Sequence, residues 1–377
     1  MRNKNVLISG ASVAGLALAY WLQRAGFHTT VVERAPGLRR GGQAIDIRGT
    51  ALHVVERMGL LDEIRAATTD VRGMSFVDSR GVELTRTTES TLTSGLIGTD
   101  DVEIMRDDLT TLLFDPSRAE TEYVFGDSIT SITQDDHGVE VDFEHTGRRR
   151  FDLVIGADGL HSGVRRLVFG PESECIHFLG MYLAIFSVEN YLGLDRWQVY
   201  HTTDDALIGV YSVRRNAEAR VMLRFGSEEL AVDHRDLDQQ KTIIAERYAD
   251  VGWETPRLLA SMWDAPDFYF DPMSQACLDR WSNGRVALVG DAGYCASPRG
   301  GMGTSMALVG TYVLAGELAN NSGDHRVAFE RYQQAMAGYV HEVHQLAQDK
   351  ALDRTVPPAI LAHAANAVTL EDYPVYC

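Results

Sequence analysis

The sequence predicts an α/β fold: one domain on a parallel sheet, a second on an antiparallel sheet, and a long C-terminal helix bridging them. Three observations lead there. The chain opens with an apolar strand, Val6-Leu7-Ile8-Ser9, that runs into the glycine turn Gly10-Ala11-Ser12-Val13-Ala14-Gly15. Two later apolar runs, Leu153-Val154-Ile155-Gly156 and Val286-Ala287-Leu288-Val289-Gly290, resume the same kind of strand. Between them, from about Glu174 to Phe270, aromatic-rich β patterns repeat in a manner suited to a separate antiparallel sheet.

Each element follows from its residues. After the glycine turn, Leu16 to Ala25 reads as a helix, Gly26 stops it, and Thr29-Thr30-Val31-Val32 forms a second strand ending in Glu33. Strand, glycine turn, helix, strand and acid in that order make a Rossmann-like dinucleotide-binding βαβ unit. Gly10 permits the turn, Gly15 lets the helix lie close to the strand, and the helix start offers free N–H groups to a pyrophosphate. Ser12 stands at the middle glycine position and is small enough to keep the approach open. Glu33, followed by Arg34, sits where a carboxylate can bind ribose hydroxyls. Downstream, Arg39-Arg40-Gly41-Gly42 is a loop and Ala44-Ile45-Asp46-Ile47 a short strand. Residues Ala51 to Ala67 carry apolar positions at spacings of three, as one helix would. Met74–Val77 and Glu83–Thr85 read as strands, Asp107 to Phe114 as a helix, and Val124 to Phe151 as a hairpin turning at Asp136-His137-Gly138. A helix is expected around Asp238 to Tyr248. The last long helix, Asp324 to Lys350, bears the stripe Phe329, Tyr332, Met336, Tyr339, Val343 and Leu346, expected as a seam between the domains. The domains are therefore expected at residues 1–73, 102–172 and 276–322, at 74–101 and 173–275, and at 323–377.

Composition narrows the function. A chain of 377 residues with 45% hydrophobic content describes an ordinary folded enzyme. A formal charge of −18 argues against nucleic acid and anionic membranes as partners. No apolar run approaches the roughly 20 residues of a bilayer span, and the first strand starts within five residues of Met1, so a soluble, cytoplasmic chain is expected. Cys175, Cys277, Cys295 and Cys377 show no C-x-x-C pair, which excludes a dithiol oxidoreductase. His341 and His344 share a helix face without a third ligand, and no metal site is expected.

Two further motifs identify the cofactor. Gly156-Ala157-Asp158-Gly159 ends one returning strand and leads to Ser162 and Val164-Arg165. Gly290-Asp291-Ala292 ends another and leads through Ser297-Pro298-Arg299-Gly300-Gly301-Met302-Gly303 into a helix beginning Thr304-Ser305. Together with the first glycine turn, this triplet resembles the FAD-dependent class A aromatic monooxygenases, the para-hydroxybenzoate hydroxylase-like family, over nearly the whole chain. Gly41-Gly42 before Ile45-Asp46-Ile47, and Glu103-Ile104-Met105-Arg106, look like the tetracycline-inactivating flavin monooxygenases. The resemblance implies FAD held by Gly10, Ser12, Val13, Ala14, Gly15, Glu33, Arg34, Arg106 and Asp291, with Asp46 against the flavin. It further implies Pro298, Gly301, Gly303, Thr304 and Ser305 at the ring edge, Arg39 toward NADPH, and Asp158 in an indirect role. The chain departs from the family pattern at Ser305, where Asn is usual, at Gly310-Thr311 in place of Asp-Ala, and at Arg299, which stands where the usual bulky residue follows the loop proline.

The implied chemistry is reduction of FAD by NADPH or NADH, formation of a flavin C4a-hydroperoxide with O₂, and oxygen transfer to an aromatic or polyketide-like small molecule. Only one dinucleotide fingerprint is present, so the nicotinamide nucleotide visits transiently. The expected chamber wall is Phe186, Tyr200, Tyr211, Met222, Arg224 and Arg299, and no catalytic base is named. Two other readings stand beside this one: an FAD oxidoreductase without oxygen insertion, and a non-catalytic flavin-binding protein. Monomer and homodimer both remain open.

Overall fold

The computed structural model describes residues 4–233, 236–322, 324–347 and 356–374. Its six-stranded sheet runs in the order Ser282–Asn283, Val286–Leu288, Leu153–Gly156, Asn5–Ser9, His28–Glu33, Glu122–Phe125. All neighbours are parallel except the short first strand. Parallel strands covered on both faces need near-continuous apolar runs, and the first strand is buried from Val6 to Ser9. Helix Val13–Arg24 is buried from Val13 to Leu22, packed against helix Gly303–Asn320, itself buried from Ser305 to Ala319. Such all-round apolar helices belong inside a core.

Three segments depart from expectation for identifiable reasons. Ala51 to Ala67 is two helices, Thr50–Arg57 and Leu61–Ala66, because Gly59 adopts φ +76° and ends the first. Within 124–151, only residues 129–151 form an antiparallel unit, Ile129–Asp135, Gly138–Phe143 and Arg148–Phe151, turning as expected at Asp136-His137. Strand Glu122–Phe125 instead closes the parallel sheet beside Glu33. Helices Thr255–Asp264 and Pro358–Ala365 went unanticipated; both carry proline in their first turn, a start signal.

The seven-stranded sheet is ordered Tyr269–Ala276, Ile176–Val188, Glu218–Gly226, Ala206–Val213, Gln198–Thr202, Met74–Val77, Glu83–Thr87, and is antiparallel except where Gln198–Thr202 meets Met74–Val77. Alternation sends its side chains to two faces. One face packs Tyr182, Ala184, Phe186, Val221, Leu223 and Phe225 beneath helices Leu237–Arg247 and Thr255–Asp264. The other collects Met181, Leu183, Ile185, Tyr200, Tyr211, Met222 and Met273 with Met105 from the two-stranded ladder Ala44–Ile47/Val102–Met105. Phe186 is therefore not a wall of the chamber: it is fully buried on the helix-covered face, its ring 6.4 Å from that of Phe268.

The long C-terminal helix spans His325–Leu346, and Lys350 lies outside the described residues, as does Cys377. Its stripe packs into the core of the parallel-sheet layer. Its last turn touches the antiparallel sheet, where Gln275 Nε2 donates to the His344 carbonyl at 2.8 Å. Among the described residues no helix is long and apolar enough to cross a membrane.

An ionic latch also joins the layers. His161, in the loop after Leu153–Gly156, places Nε2 2.8 Å from Asp271 Oδ1 on the antiparallel sheet and Nδ1 3.2 Å from Glu172 Oε2. Burial alone would lower its pKa, but the two carboxylates reverse this and push it up to about 10. The latch thus stabilises fully below pH 6.5, the ordinary histidine value, and is lost as pH rises toward 10. The thermal midpoint is expected to fall across that window in the wild type and to fall less in His161→Gln. Equal slopes for the two proteins would refute the latch.

Candidate functional site

The first glycine turn closes against the second motif. Gly10 has φ +104°, and a Cβ there would stand 2.5 Å from the Ala157 carbonyl oxygen. A Cβ on Gly15 would collide with the Gly10 carbonyl oxygen, so the helix can approach the strand this closely only with glycine. Ser12 begins the helix with no side-chain cap, and its first turn holds no acid. The N–H groups and positive dipole end are thereby left for an anion. Glu33 ties the turn down: Oε2 accepts from the Ala11 N–H at 2.8 Å and Oε1 from the Ala35 N–H at 2.9 Å. Val13 and Ala14 are buried, while Arg34 and Arg39 are exposed beyond it.

Asp158 and Asp291 differ in what their oxygens do. Asp158 accepts from Ser9 Oγ at 3.2 Å, from the Val164 N–H at 3.1 Å and from the Ser162 hydroxyl. It braces the motif from within. Arg165, fully buried, carries the brace across by donating to the Ala292 carbonyl at 3.0 Å, beside Asp291. Asp291 opens helix Asp291–Tyr294 at the end of a parallel strand and remains exposed, facing Gly303 with Oδ1 3.7 Å from where a Cβ would lie. The protein crowding around it raises its carboxyl pKa, with Asp271 adding to the rise. Gly290 is needed beside it: its φ is +64°, and a Cβ would lie 3.0 Å from Ala14 Cβ.

Loop 297–303 lies opposite. Ser297 holds φ +75°, is 4% exposed, and its Oγ has no hydrogen-bond partner. Strained backbone of this kind clusters at functional sites. Pro298 is exposed, Gly301 is left-handed at φ +60°, and Gly303 starts a helix without a side-chain cap or acid in its first turn. Thr304 is half-buried there. Arg299 reaches the antiparallel sheet, its NH1 2.6 Å from Met181 Sδ. The departures at 305 and 310 find structural reasons. Ser305 Oγ accepts from the Arg48 N–H at 2.9 Å and donates to the Asp46 carbonyl at 3.3 Å, pinning the strand of Asp46 to the helix. Gly310 leaves room for the Tyr294 hydroxyl, which a Cβ would strike.

Between loop and sheet lies a polar cluster. Asp46 pairs with Arg48 at 2.8 Å, and Arg48 also reaches Asp101 at 3.0 Å, the Gly301 carbonyl at 3.1 Å and the Ser94 carbonyl at 2.7 Å. Tyr200 donates to Gln198 Oε1 at 2.8 Å, and Gln198 Nε2 to Thr93 Oγ1 at 2.6 Å. Tyr211 OH, Arg224 Nε, Asp46 Oδ1 and Glu103 Oε2 are buried without hydrogen-bond partners. Burial pushes the Tyr200 and Tyr211 hydroxyls up and the Arg224 guanidinium down. Tyr200, Tyr211, Met222 and Arg224 thus share the sheet face that Arg299 reaches, the expected chamber wall, and Phe186 lies on the opposite face. Arg106 sits at its rim, NH2 donating to the Arg39 carbonyl at 3.1 Å and the Gly41 carbonyl at 2.7 Å. A groove of about 800 Å³ borders the rim, lined by residues 35–40, Asp107, Asp108 and Arg214 among others. Arg48, Glu103, Arg165 and Ser297 were not anticipated from sequence. Arg48 had one signal, its place directly after the short strand of Asp46, two residues from that carboxylate.

The orphaned polar atoms and the two uncapped helix starts suit an electron-rich, hydrogen-bonding dinucleotide lying from the glycine turn to the chamber. Comparisons agree. The family described as FAD binding domain matches residues 3–351. An uncharacterized protein of Mycobacterium tuberculosis is 51% identical over 371 residues, 98% of this chain and all of the relative. A flavin-dependent monooxygenase of Legionella longbeachae is 40% identical over 339 residues, 90% of this chain and 86% of its own. The crystal structure of tetracycline destructase Tet(51) superposes with a TM-score of 0.89 at 36% identity, covering 99% of this chain and 100% of that one; Tet(55) gives 0.87 at the same identity. The chain belongs to the FAD-binding family of flavin-dependent monooxygenases.

Proposed function

We propose that this monooxygenase spends NADPH or NADH to hydroxylate an aromatic or polyketide-like small molecule, with tetracycline-type compounds among the candidates. The observation that carries this reading is the chamber face itself, where the unpartnered Tyr211 OH and Arg224 Nε stand over apolar methionines. A flat, oxygen-bearing ring system would satisfy those donors and cover that apolar surface. The likeness to tetracycline destructases supports the choice of candidate.

Residues 1–73, 102–172 and 276–322 are assigned to holding the cofactor, and residues 74–101 with 173–275 to the substrate. Glu33 would turn toward the adenosine ribose, Ser12 to Gly15 would present N–H groups to the pyrophosphate, and Arg106 and Asp291 would hold the linker between the nucleotide and the ring. Asp46 and Ser305 would border the ring. Bound FAD would pass two electrons from the nicotinamide nucleotide to O₂, one oxygen atom of which goes to the substrate and the other leaves as water. The chain's own part is orientation and water exclusion: Met181, Met222 and Met273 keep the chamber dry, Tyr200 is aimed by Gln198, and Arg224 neutralises developing oxyanion charge on the substrate. Exposed Arg39, beside the groove at the rim, is placed to meet a visiting nucleotide phosphate.

The test is to follow NADPH consumption by the yellow holoprotein across a panel of naphthol, anthraquinone and tetracycline compounds, with mass spectrometry of the products. Stimulated consumption with a product heavier by one oxygen is the expected result. Nicotinamide oxidation that yields only an oxidised or reduced product without added oxygen would sink the hydroxylase reading.

A further inference from the structure

The two-stranded ladder sets Asp46 directly opposite Glu103. Opposed residues of an antiparallel pair hold their Cβ atoms about 5 Å apart, and like charges in that position repel. Here both are buried, 7% and 6% exposed, where water cannot screen them. Each has one engaged oxygen: Asp46 Oδ2 meets Arg48 at 2.8 Å, and Glu103 Oε1 accepts from the Thr69 hydroxyl. Each also has one oxygen with no partner, Asp46 Oδ1 and Glu103 Oε2.

The charges around them do not balance two carboxylates. Among the described residues Arg48 is the one cation paired with Asp46, and it is divided between Asp46 and Asp101. From the antiparallel sheet, Tyr211 and Tyr200 face Glu103 as neutral hydroxyls, with Arg224 and Arg220 beyond them. The helix Gly303–Asn320 offers only Ser305, bonded to the Asp46 main chain. Two buried acids, with the partly exposed Asp101 beside them, share one arginine, which leaves an excess of negative charge in a site sheltered from water, and a bound proton is the least costly remedy.

We propose that Asp46 and Glu103 form a carboxyl pair that shares one proton, and that Asp46 exchanges this proton with the flavin cleft. The exchange rests on the cofactor placement argued under Proposed function; the pair does not. Asp46 Oδ2 lies 3.9 Å from where a Cβ on Gly301 would stand, which puts the carboxyl just behind the loop lining the cleft. Release of the proton takes the pair from one negative charge to two; nothing is oxidised or reduced. Electrostatics agree with the geometry. Burial, with Glu103 and Asp101 adding and Arg48 opposing, pushes the Asp46 pKa up to about 8, and burial raises Glu103 against the hydrogen bond of Thr69 and the charge of Arg48. Coupled carboxyls titrate as a pair.

Infrared spectroscopy of the whole chain, both FAD-free and FAD-loaded, tests the pair. A carbonyl stretch of a protonated, buried carboxyl is expected at neutral pH and should disappear with a midpoint near 8. Asp46→Asn should remove that titration, and Glu103→Gln should lower the midpoint by about one pH unit, since the repelling neighbour is gone. In the loaded protein the visible flavin spectrum should shift with the same midpoint. The wild-type measurement needs no variant to fold. Absence of the band in the wild type overturns the pair, as does a band that both substitutions leave unchanged. A band that titrates without any change in the flavin spectrum overturns the exchange with the cleft. A chain that takes up no FAD counts against the functional reading, while the pair is still decided on the FAD-free protein.

Discussion

Gly15→Val is expected to strip the protein of flavin and to lower its unfolding free energy by about 3 kcal/mol, at the upper end of overpacking effects. The Gly10 carbonyl oxygen occupies the place that a Cβ at position 15 would take. That oxygen belongs to backbone, held at its other side by the Gly10 N–H···O=C bond to Val32 at 2.7 Å, so it cannot swing away as a side-chain tip could. The helix would have to lift from the strand, carrying its N–H groups off the pyrophosphate position. Helix propensity acts in the opposite sense, since alanine is favoured over glycine in a helix by about 1 kcal/mol. Gly15→Ala is therefore expected to fall between wild type and Gly15→Val. The control is Gly338, exposed in helix His325–Leu346 with open space at its Cβ position. There Gly338→Ala should stabilise by up to about 1 kcal/mol, propensity acting unopposed. Chemical denaturation of the wild type and the three variants, with flavin content from the visible spectrum, decides it. A Gly15→Val protein with wild-type stability and stoichiometric FAD would show that the turn does not constrain the helix.

The same turn explains why the parallel-sheet layer was legible. Gly10, Gly15 and Glu33 are separated by distances that one tight turn and one short helix dictate, so few residues carry a long-range arrangement. The antiparallel sheet carried less information of this kind. Strand Ile176–Val188 is apolar on both faces, Met181, Leu183 and Ile185 on one and Tyr182, Ala184 and Phe186 on the other. A sheet covered on both sides loses the polar marker that tells chamber from core, and Phe186 was assigned to the wrong face for that reason. Spacing misled at Ala51 to Ala67 as well. The apolar positions continue past Gly59, yet a glycine at positive φ divides the helix. Glu103 gave no signal of burial because a charged residue on a short strand usually faces water, and Arg48, just past the end of its strand, gave only its nearness to Asp46. Their burial follows from a partner sheet far away in sequence, and only the assembled ladder reveals it.

Asp291→Ala is expected to weaken FAD binding about 100-fold or more while the chain folds as well as before. Hydrogen bonds to a charged group contribute about 1.5–3 kcal/mol each, and a carboxylate at the strand end can accept two from a polyol. Losing about 3 kcal/mol corresponds to roughly two orders of magnitude in affinity. The fold should not suffer, because Asp291 does little for the cofactor-free chain. Its surroundings raise its pKa above the ordinary 3.8, which means that the folded state disfavours the ionised form. Such a group lowers stability as pH rises through its folded pKa, the reverse of a salt-bridged aspartate. Removing it relieves that penalty at neutral pH. The cofactor-free variant should therefore melt at or above the wild-type temperature near pH 7, and the difference should vanish at low pH, where the wild-type carboxyl is protonated. Asp158→Ala supplies the contrast. Its carboxyl braces Ser9, Ser162 and the Val164 N–H, so it should lose stability and flavin together. Calorimetry of the flavin-free proteins across pH, with FAD titration followed by fluorescence quenching, separates the two acids. If Asp291→Ala retained stoichiometric flavin, or melted well below the wild type without it, Asp291 would be a structural residue and the cofactor would have to be held from elsewhere in the cleft.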